Sequence, residues 1–316
     1  MLSHPPRGLI ANLVTPLDKE GRPDGPALAG LMRRIGSEVA GFLAGGLAVG
    51  EALYLGREER LAILAAALEG CQGDRTLFFE ITAGNKEETQ SLLAGAEELL
   101  SRSPHRTAVF FFLTPLAYHS NRELPRHVRE LGGSSRRRFI IGNDPDLVTR
   151  LRPGPHHKNI RTAVLKKLGG AEMLAGVAFA GDMPRALNYQ RALKQRTVIR
   201  FYDQSEANFI ERPSSSGLIS VGATLIPAAW SDIVGSSLNV YDAQRLYPDH
   251  LSQIWRHGRT VRTMLDLYQP NPEAFIKTAL TILGVIPSAH LVQEHKKLNA
   301  QDRRRLEDTL REVHLL

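Results

Sequence analysis

Cysteine is almost absent from this 316-residue chain, with Cys71 as the one thiol. A single thiol excludes an internal disulfide framework and any multi-cysteine zinc site, and it fits a reducing compartment. Long apolar runs are missing as well. The two longest, residues 107–113 and 218–226, fall far short of the ~20 residues that span a bilayer. The opening residues, Met1 to Arg7, carry no basic stretch followed by an apolar one. No secretory signal and no membrane partner are therefore expected, and the expected location is the cytoplasm. Aromatic residues are sparse at 6%, yet 42% of positions are hydrophobic and 23% charged, a balance that excludes intrinsic disorder.

Acidic residues are outnumbered, 33 against 40 basic ones. The obvious basic clusters are Arg136-Arg137-Arg138 and Arg303-Arg304-Arg305, the second interleaved with Asp302, Glu307 and Asp308. No nucleic-acid-binding module accompanies either, so solvated faces or subunit contacts are expected and a nucleic-acid partner is not. Metal ligation has no sequence signal. His156 and His157 are adjacent and would point apart on a helix or strand, and no H-E-x-x-H or Cys/His spacing occurs, so neither a metal nor a cofactor is expected.

What is present is an alternation. Short apolar runs at 8–16, 41–49, 76–82, 107–115, 138–143, 173–178, 197–202 and 217–222 are separated by amphipathic stretches. A strand buried on both faces reads as a continuous run such as Val109-Phe110-Phe111-Phe112-Leu113, which is the habit of parallel sheets. Helical patterns start at Arg57, span 86–100 and span 185–194, the last behind Asp182 as a cap and Pro184 in its first turn. Eight strands with intervening helices are what a (β/α)8 TIM barrel requires, though periodicity alone leaves a doubly wound sheet open. Residues 243–267, 273–283 and 300–313 add further helical patterns. Length alone, at about 150 residues per domain, suggests two domains. The pattern instead divides the chain into a barrel, 1–230, and a C-terminal helical bundle, 231–316, packed on it.

The order of motifs resembles a known family. Gly50-Glu51 followed by Leu55-Gly56-Arg57-Glu58-Glu59-Arg60 is similar to the G-E-x-x-x-L-x-x-E-E-R segment of the dihydrodipicolinate synthases and N-acetylneuraminate lyases. Val14-Thr15-Pro16, Thr114-Pro115, Asn143-x-Pro145, Gly217-Leu218-Ile219-Ser220-Val221 and Asn271-Pro272 with Lys277-x-Ala279-Leu280 follow in the matching order. The resemblance covers residues 8 to 314. It implies a (β/α)8 barrel with C-terminal helices and the chemistry of class I aldolase-type lyases. In that chemistry a lysine at the end of strand six forms a Schiff base with a 2-oxo acid.

The parts of that chemistry are missing here. The family's G-I-K-D segment corresponds to Gly176-Val177-Ala178-Phe179, so Ala178 stands at the lysine position. Lys166 and Lys167 precede the strand, at the wrong end of a barrel. The family's G-T-T-G-E turn reads Leu47-Ala48-Val49-Gly50-Glu51, without a hydroxyl. Leu116 and Ala117 replace the tyrosine pair after Thr-Pro, with Tyr118 one position on. Gly142 stands for the relay tyrosine before Asn143, and Leu147 for an arginine that often follows N-x-P-x.

Candidate catalytic groups are therefore Glu51 and Tyr118 alone, each with a structural alternative: Glu51 as a cap or amide acceptor, Tyr118 as a surface or interface residue. Ala48, Val49, Gly50, Asn143, Tyr202 and Ile219 are the candidate ligand-binding positions at the strand ends, with Asp203 beside them. Cys71, at a helix end, reads as an inert buried thiol. The reading favoured by these residues is a diverged barrel without Schiff-base lyase or aldolase chemistry that binds a small carboxylate or 2-oxo acid at its mouth. The alternatives are an active lyase or aldolase using non-lysine acid/base residues, and a regulatory subunit of an active relative. The resemblance also implies a homo-oligomer, dimeric or tetrameric.

Overall fold

The apolar runs become eight parallel strands that close in sequence order, with β1 hydrogen-bonded to both β2 and β8. That closing pair excludes the doubly wound alternative. The computed structural model describes residues 4–73, 75–105, 107–116, 123–151, 157–193, 199–214, 216–239 and 249–316. The strands are β1 (Gly8–Asn12), β2 (Gly41–Ala44), β3 (Thr76–Glu80), β4 (Val109–Leu113), β5 (Phe139–Asn143), β6 (Leu174–Phe179), β7 (Arg200–Asp203) and β8 (Gly217–Ser220). Each lies within or beside its expected run, and all but β6, which is shifted by one residue, are shorter than it. The surplus residues at the C-terminal ends of the runs form the turns of the barrel mouth.

Helices α1 (Gly25–Ile35), α2 (Arg57–Gly70), α3 (Lys86–Arg102), α4 (Leu124–Gly133), α5 (Pro145–Leu151), α6 (Thr162–Leu168), α7 (Met183–Leu193), α8 (Glu206–Glu211) and α9 (Pro227–Leu238) intervene or follow. Their starts are set by side chains that accept otherwise unpaired first-turn amides. Asp24 accepts from Ala27, Asn85 from Glu88 at 2.8 Å, and Asp182 from Arg185 at 2.8 Å. At α2 the Glu59 carboxylate reaches back to the Gly56 amide at 2.6 Å. After β5 the chain turns directly into the short helix α5, because Asp144 accepts from the Leu147 amide at 2.9 Å and Pro145 presets the first turn.

Side chains alternate across the strands. Ile10, Leu43, Phe78, Phe110, Phe112, Ile140, Ala178, Tyr202 and Ile219 fill the barrel interior, while Phe42, Phe79, Phe111, Phe139, Phe179 and Phe201 face the helices. Phe78 sits 5.8 Å from Phe110 and 6.1 Å from Tyr202 between ring centres. The interior is thus a packed core, not a channel.

The last helices are α10 (Asp249–Tyr268), α11 (Pro272–Ile282) and α12 (Ala300–Glu312). α9 runs across residue 230, so barrel and C-terminal helices are continuous through a helix. Two buried polar contacts fasten α10 and α11 to the barrel. The Tyr268 hydroxyl donates to Glu206 at 2.8 Å, and Glu206 also accepts from Ser220 and from the Gly222 amide. A side chain at Gly222 would meet the Tyr268 hydroxyl at 2.2 Å. The second contact joins the Lys277 ammonium on α11 to Glu51 in the turn after β2, and Lys277 also donates to the His290 carbonyl at 2.8 Å. Glu51 in turn accepts from the Val292 amide at 2.8 Å.

Two variants test these constraints. At the closing seam Gly217 has φ 125 and a Cβ there would lie 2.0 Å from the Gly8 carbonyl oxygen. Gly217→Ala is expected to lower stability by about 2 kcal/mol or more in urea unfolding; an unmoved midpoint would contradict the seam. Lys277→Met leaves a buried carboxylate without its cation and should cost about 3–5 kcal/mol. Adding Glu51→Gln should recover part of that loss, whereas strictly additive losses would show that the two groups do not interact.

Candidate functional site

Barrel enzymes carry their chemistry at the C-terminal ends of the strands. Here β6 ends on Ala178 and Phe179. Ala178 has no exposed surface and is paired between Gly142 on β5 and Tyr202 on β7. At the same end of the barrel, Leu47 from the turn after β2, Leu116 from the segment after β4, and Leu147 with Val148 from α5 pack into one apolar cluster. All four are at most 6% exposed. Ala48 and Leu53 pack against them. Burial of each leucine stabilises the cluster by about 2 kcal/mol. Leu116 and Leu147, at positions where the resemblance puts a tyrosine and an arginine, therefore share one hydrocarbon cluster with Leu47, which stands for a glycine.

Several polar groups at this end hold the turns in place. Thr15 donates to the Gly50 carbonyl at 2.8 Å, fixing the turn after β2 onto β1. Glu51 has a left-handed backbone, φ 57, a costly conformation for a residue with a side chain. It is kept there by Lys277 and the Val292 amide. Burial pulls the Lys277 ammonium below its ordinary range and the neighbouring Glu51 opposes that pull. Asn143 uses both ends of its amide: its nitrogen donates to Asn159 and to the Ala180 carbonyl, and its oxygen accepts from the Ile160 amide and the Tyr189 hydroxyl. Burial pushes that tyrosine up to about 12.

The sequence candidates are thus only partly brought together. Ala48, Val49, Gly50 and Glu51 share one turn; Val49 packs into the core between sheet and helices. Asn143 lies across the mouth from them. Tyr202 points the other way, its hydroxyl donating to the carbonyl of Pro6, which precedes β1 at the bottom of the barrel. Its ring packs in the barrel interior, and the long side chain tilts away from the mouth. Ile219 is interior filling at 2% exposure. Tyr118 lies outside the described residues. Asp203, next to Tyr202, faces outward against the segment before β8. Burial raises its carboxyl to about 7 against the pull of hydrogen bonds to Ser214.

Cys71 is buried at the end of α2, and desolvation raises its thiol to about 11, the signature of an unreactive cysteine. Arg138 at the foot of β5 donates to the carbonyls of Glu172 and Leu174, and Arg137 pairs with Glu97. Arg303 pairs with Glu307 on the face of α12 at 3.2 Å. Among the described residues no three His, Cys, Asp or Glu side chains are placed to hold a metal ion, and no helix is long and apolar enough to cross a membrane.

One ionisable group at the mouth escaped the sequence reading. Glu80, the last residue of β3, shares the inward face with Phe78 and is fully buried. Its carboxylate accepts from the Thr82 amide and the Thr114 hydroxyl, both at 3.0 Å. Burial raises its proton affinity, opposed by those hydrogen bonds and by Arg60. Arg60 itself donates to the carbonyls of Glu80 and Thr82 at 2.7 Å, and burial lowers it to about 10. An acidic residue closing an apolar run at the catalytic end of a strand is the signal that marks it. Beside Thr114, the cavity lined by Gly142, Asn143, Asp144 and Ile160 holds about 10 Å3, room for roughly one water molecule.

No protein-family model and no curated protein matches the chain. Solved structures do. Dihydrodipicolinate synthase from Aquifex aeolicus superposes with a TM-score of 0.79 at 17% identity, covering 98% of each chain. YagE, a prophage protein of the dihydrodipicolinic acid synthase family from E. coli K12 solved in complex with pyruvate, gives 0.79 at 18% identity over 98% of this chain and 99% of its own. The dihydrodipicolinate synthase from Agrobacterium tumefaciens gives 0.76 at 22% identity, covering 97% and 98%. The fold of this chain, barrel and C-terminal helices together, is the dihydrodipicolinate synthase fold.

Proposed function

We propose that this chain is a member of the dihydrodipicolinate synthase family in which the barrel has lost Schiff-base lyase and aldolase chemistry. The observations that carry the reading are the alanine at 178 and the apolar cluster of Leu47, Leu116, Leu147 and Val148 at the same end of the barrel. An imine needs an amine, and an alanine offers none. A 2-oxo acid also needs a cation or amides to receive its carboxylate, because a buried charge without a partner is strongly disfavoured. Ala48 and Val49 stand where the family resemblance puts two threonine hydroxyls, Leu116 where it puts a tyrosine and Leu147 where it puts an arginine. Loss of the lysine alone would leave a carboxylate-binding pocket. Loss of all these positions to mutually packed hydrocarbon removes the pocket with the nucleophile, and it weighs against carboxylate binding at this place. The chain then serves as a folded non-catalytic subunit, self-associated or assembled with a lysine-bearing relative.

A second reading rests on Glu80. A buried carboxyl with raised proton affinity, inside the mouth and hydrogen-bonded to Thr114, has the properties of a general acid/base for an enolisable substrate. Under that reading the protein exchanges the methyl protons of a 2-oxo acid with solvent deuterons and Glu80→Gln abolishes the exchange.

Pyruvate is the natural probe, since related structures have been solved with it. With pyruvate and borohydride, the intact mass of the full chain is expected to stay that of the unmodified polypeptide, and its melting temperature is expected not to rise with added pyruvate. A reduced pyruvyl adduct on any one lysine would overturn the proposal. Proton exchange without an adduct, lost in Glu80→Gln, would replace it by the second reading.

A further inference from the structure

A large cavity lies outside the barrel, among the helices. It holds about 680 Å3 between the end of α1, the turn into α9, the middle of α10 and the end of α12, a size typical of sites for drug-sized molecules. Its accessible apolar surface comes from Pro227, Ala228, Val313 and Leu315. Its walls are basic: Arg34 from α1 and Arg256 and Arg259 from α10 all line it and all are exposed. None of the three makes an ion pair with a carboxylate among the described residues, in contrast with Arg22, Arg102, Arg126, Arg137 and Arg311.

The other charged groups there do not neutralise them. Asp232 is taken up by His257 at 2.7 Å and by the Gln253 amide at 2.6 Å. Glu312 is the one carboxylate in the lining, against three guanidiniums. Arginines that outnumber carboxylates around one concavity repel one another, and an anion relieves that repulsion. Guanidinium forks match the paired oxygens of a phosphate. The hydrocarbon surface beside them suits a flat apolar body.

We propose that this groove binds a small phosphorylated molecule of nucleotide size, its phosphate among Arg34, Arg256 and Arg259 and its apolar part on Pro227, Ala228 and Leu315. The site is independent of the mouth and of any chemistry there. Thr260 and Thr263, also in the lining, offer hydroxyls to the same ligand. Trp255 gives the site a reporter: it is 71% exposed, lies one residue before Arg256 and one helical turn before Arg259, and the second tryptophan, Trp230, is buried.

The test uses the full chain with AMP, adenosine and inorganic phosphate, followed by calorimetry and by Trp255 fluorescence. AMP is expected to bind and to change the fluorescence, inorganic phosphate to compete with it, and adenosine without its phosphate to bind at least about tenfold more weakly. The variant R256E/R259E should weaken AMP by at least about tenfold. R191E/R304E, which reverses two exposed arginines outside the groove, should leave the affinity unchanged. All four positions are exposed, so both variants should keep the wild-type melting temperature. The proposal is overturned if AMP fails to bind, if adenosine binds as well as AMP, or if the two double variants weaken it equally. Binding of poly-glutamate without binding of AMP would also overturn it and would mark the groove as a surface for an acidic protein partner.

Discussion

The Glu51–Lys277 ion pair is the contact on which this end of the molecule depends. It joins the turn after β2 to α11, with Lys277 unexposed and Glu51 3% exposed. Two charges out of water are costly unless each finds enough partners. Here each does: the ammonium has a carboxylate and a carbonyl, and the carboxylate has an ammonium and an amide. The same pair holds Glu51 in a left-handed conformation, and so fixes the course of Leu47 to Gly50 over the barrel mouth. A group that sequence alone offers as an acid/base is thereby spent on architecture. What it positions is a hydrocarbon lid.

That economy recurs around the mouth. Asn143 exhausts its amide on the segments after β5 and β6 and on Tyr189. Thr15 is bound to Gly50, and Thr114 to Glu80. Buried polar atoms favour partners, and these side chains find theirs in one another and in the backbone. The pairing is not complete: Asn12 at the end of β1 and Asp203 at the end of β7 each keep one buried oxygen without a hydrogen bond. Glu80 differs again, a carboxyl whose burial favours its neutral form. By contrast, the groove beside α10 gathers arginines that lack carboxylate partners.

The barrel was legible because strands buried on both faces cannot hide: each is an uninterrupted apolar run, and eight of them alternate with amphipathic stretches. Strand ends were less legible, since residues such as Thr82 and Pro115 prolong a run while turning out of the sheet. The substitutions at Leu47, Leu116, Leu147 and Ala178 were visible as departures from a motif order. The mutual contact of the leucines was not, because it arises only when three loops converge on one axis. Glu51 was singled out, but its partner lies 226 positions away, beyond any local pattern. Tyr202 was read as facing a ligand because it ends a strand; the tilt of a long side chain toward Pro6 has no signature in sequence. Glu80 was missed because one carboxylate at the close of Leu77-Phe78-Phe79 reads as the edge of an apolar run.

We propose that imine chemistry is lost through filling of the mouth with hydrocarbon, not through one missing amine alone. Restoring that amine tests it most directly. A178K, checked by circular dichroism and thermal melting for an intact fold, is treated with pyruvate and borohydride and weighed intact. A filled mouth predicts a folded protein with unmodified mass, the added lysine having no pocket in which to meet a 2-oxo acid. A folded variant that carries a reduced pyruvyl adduct on the introduced lysine would contradict the account.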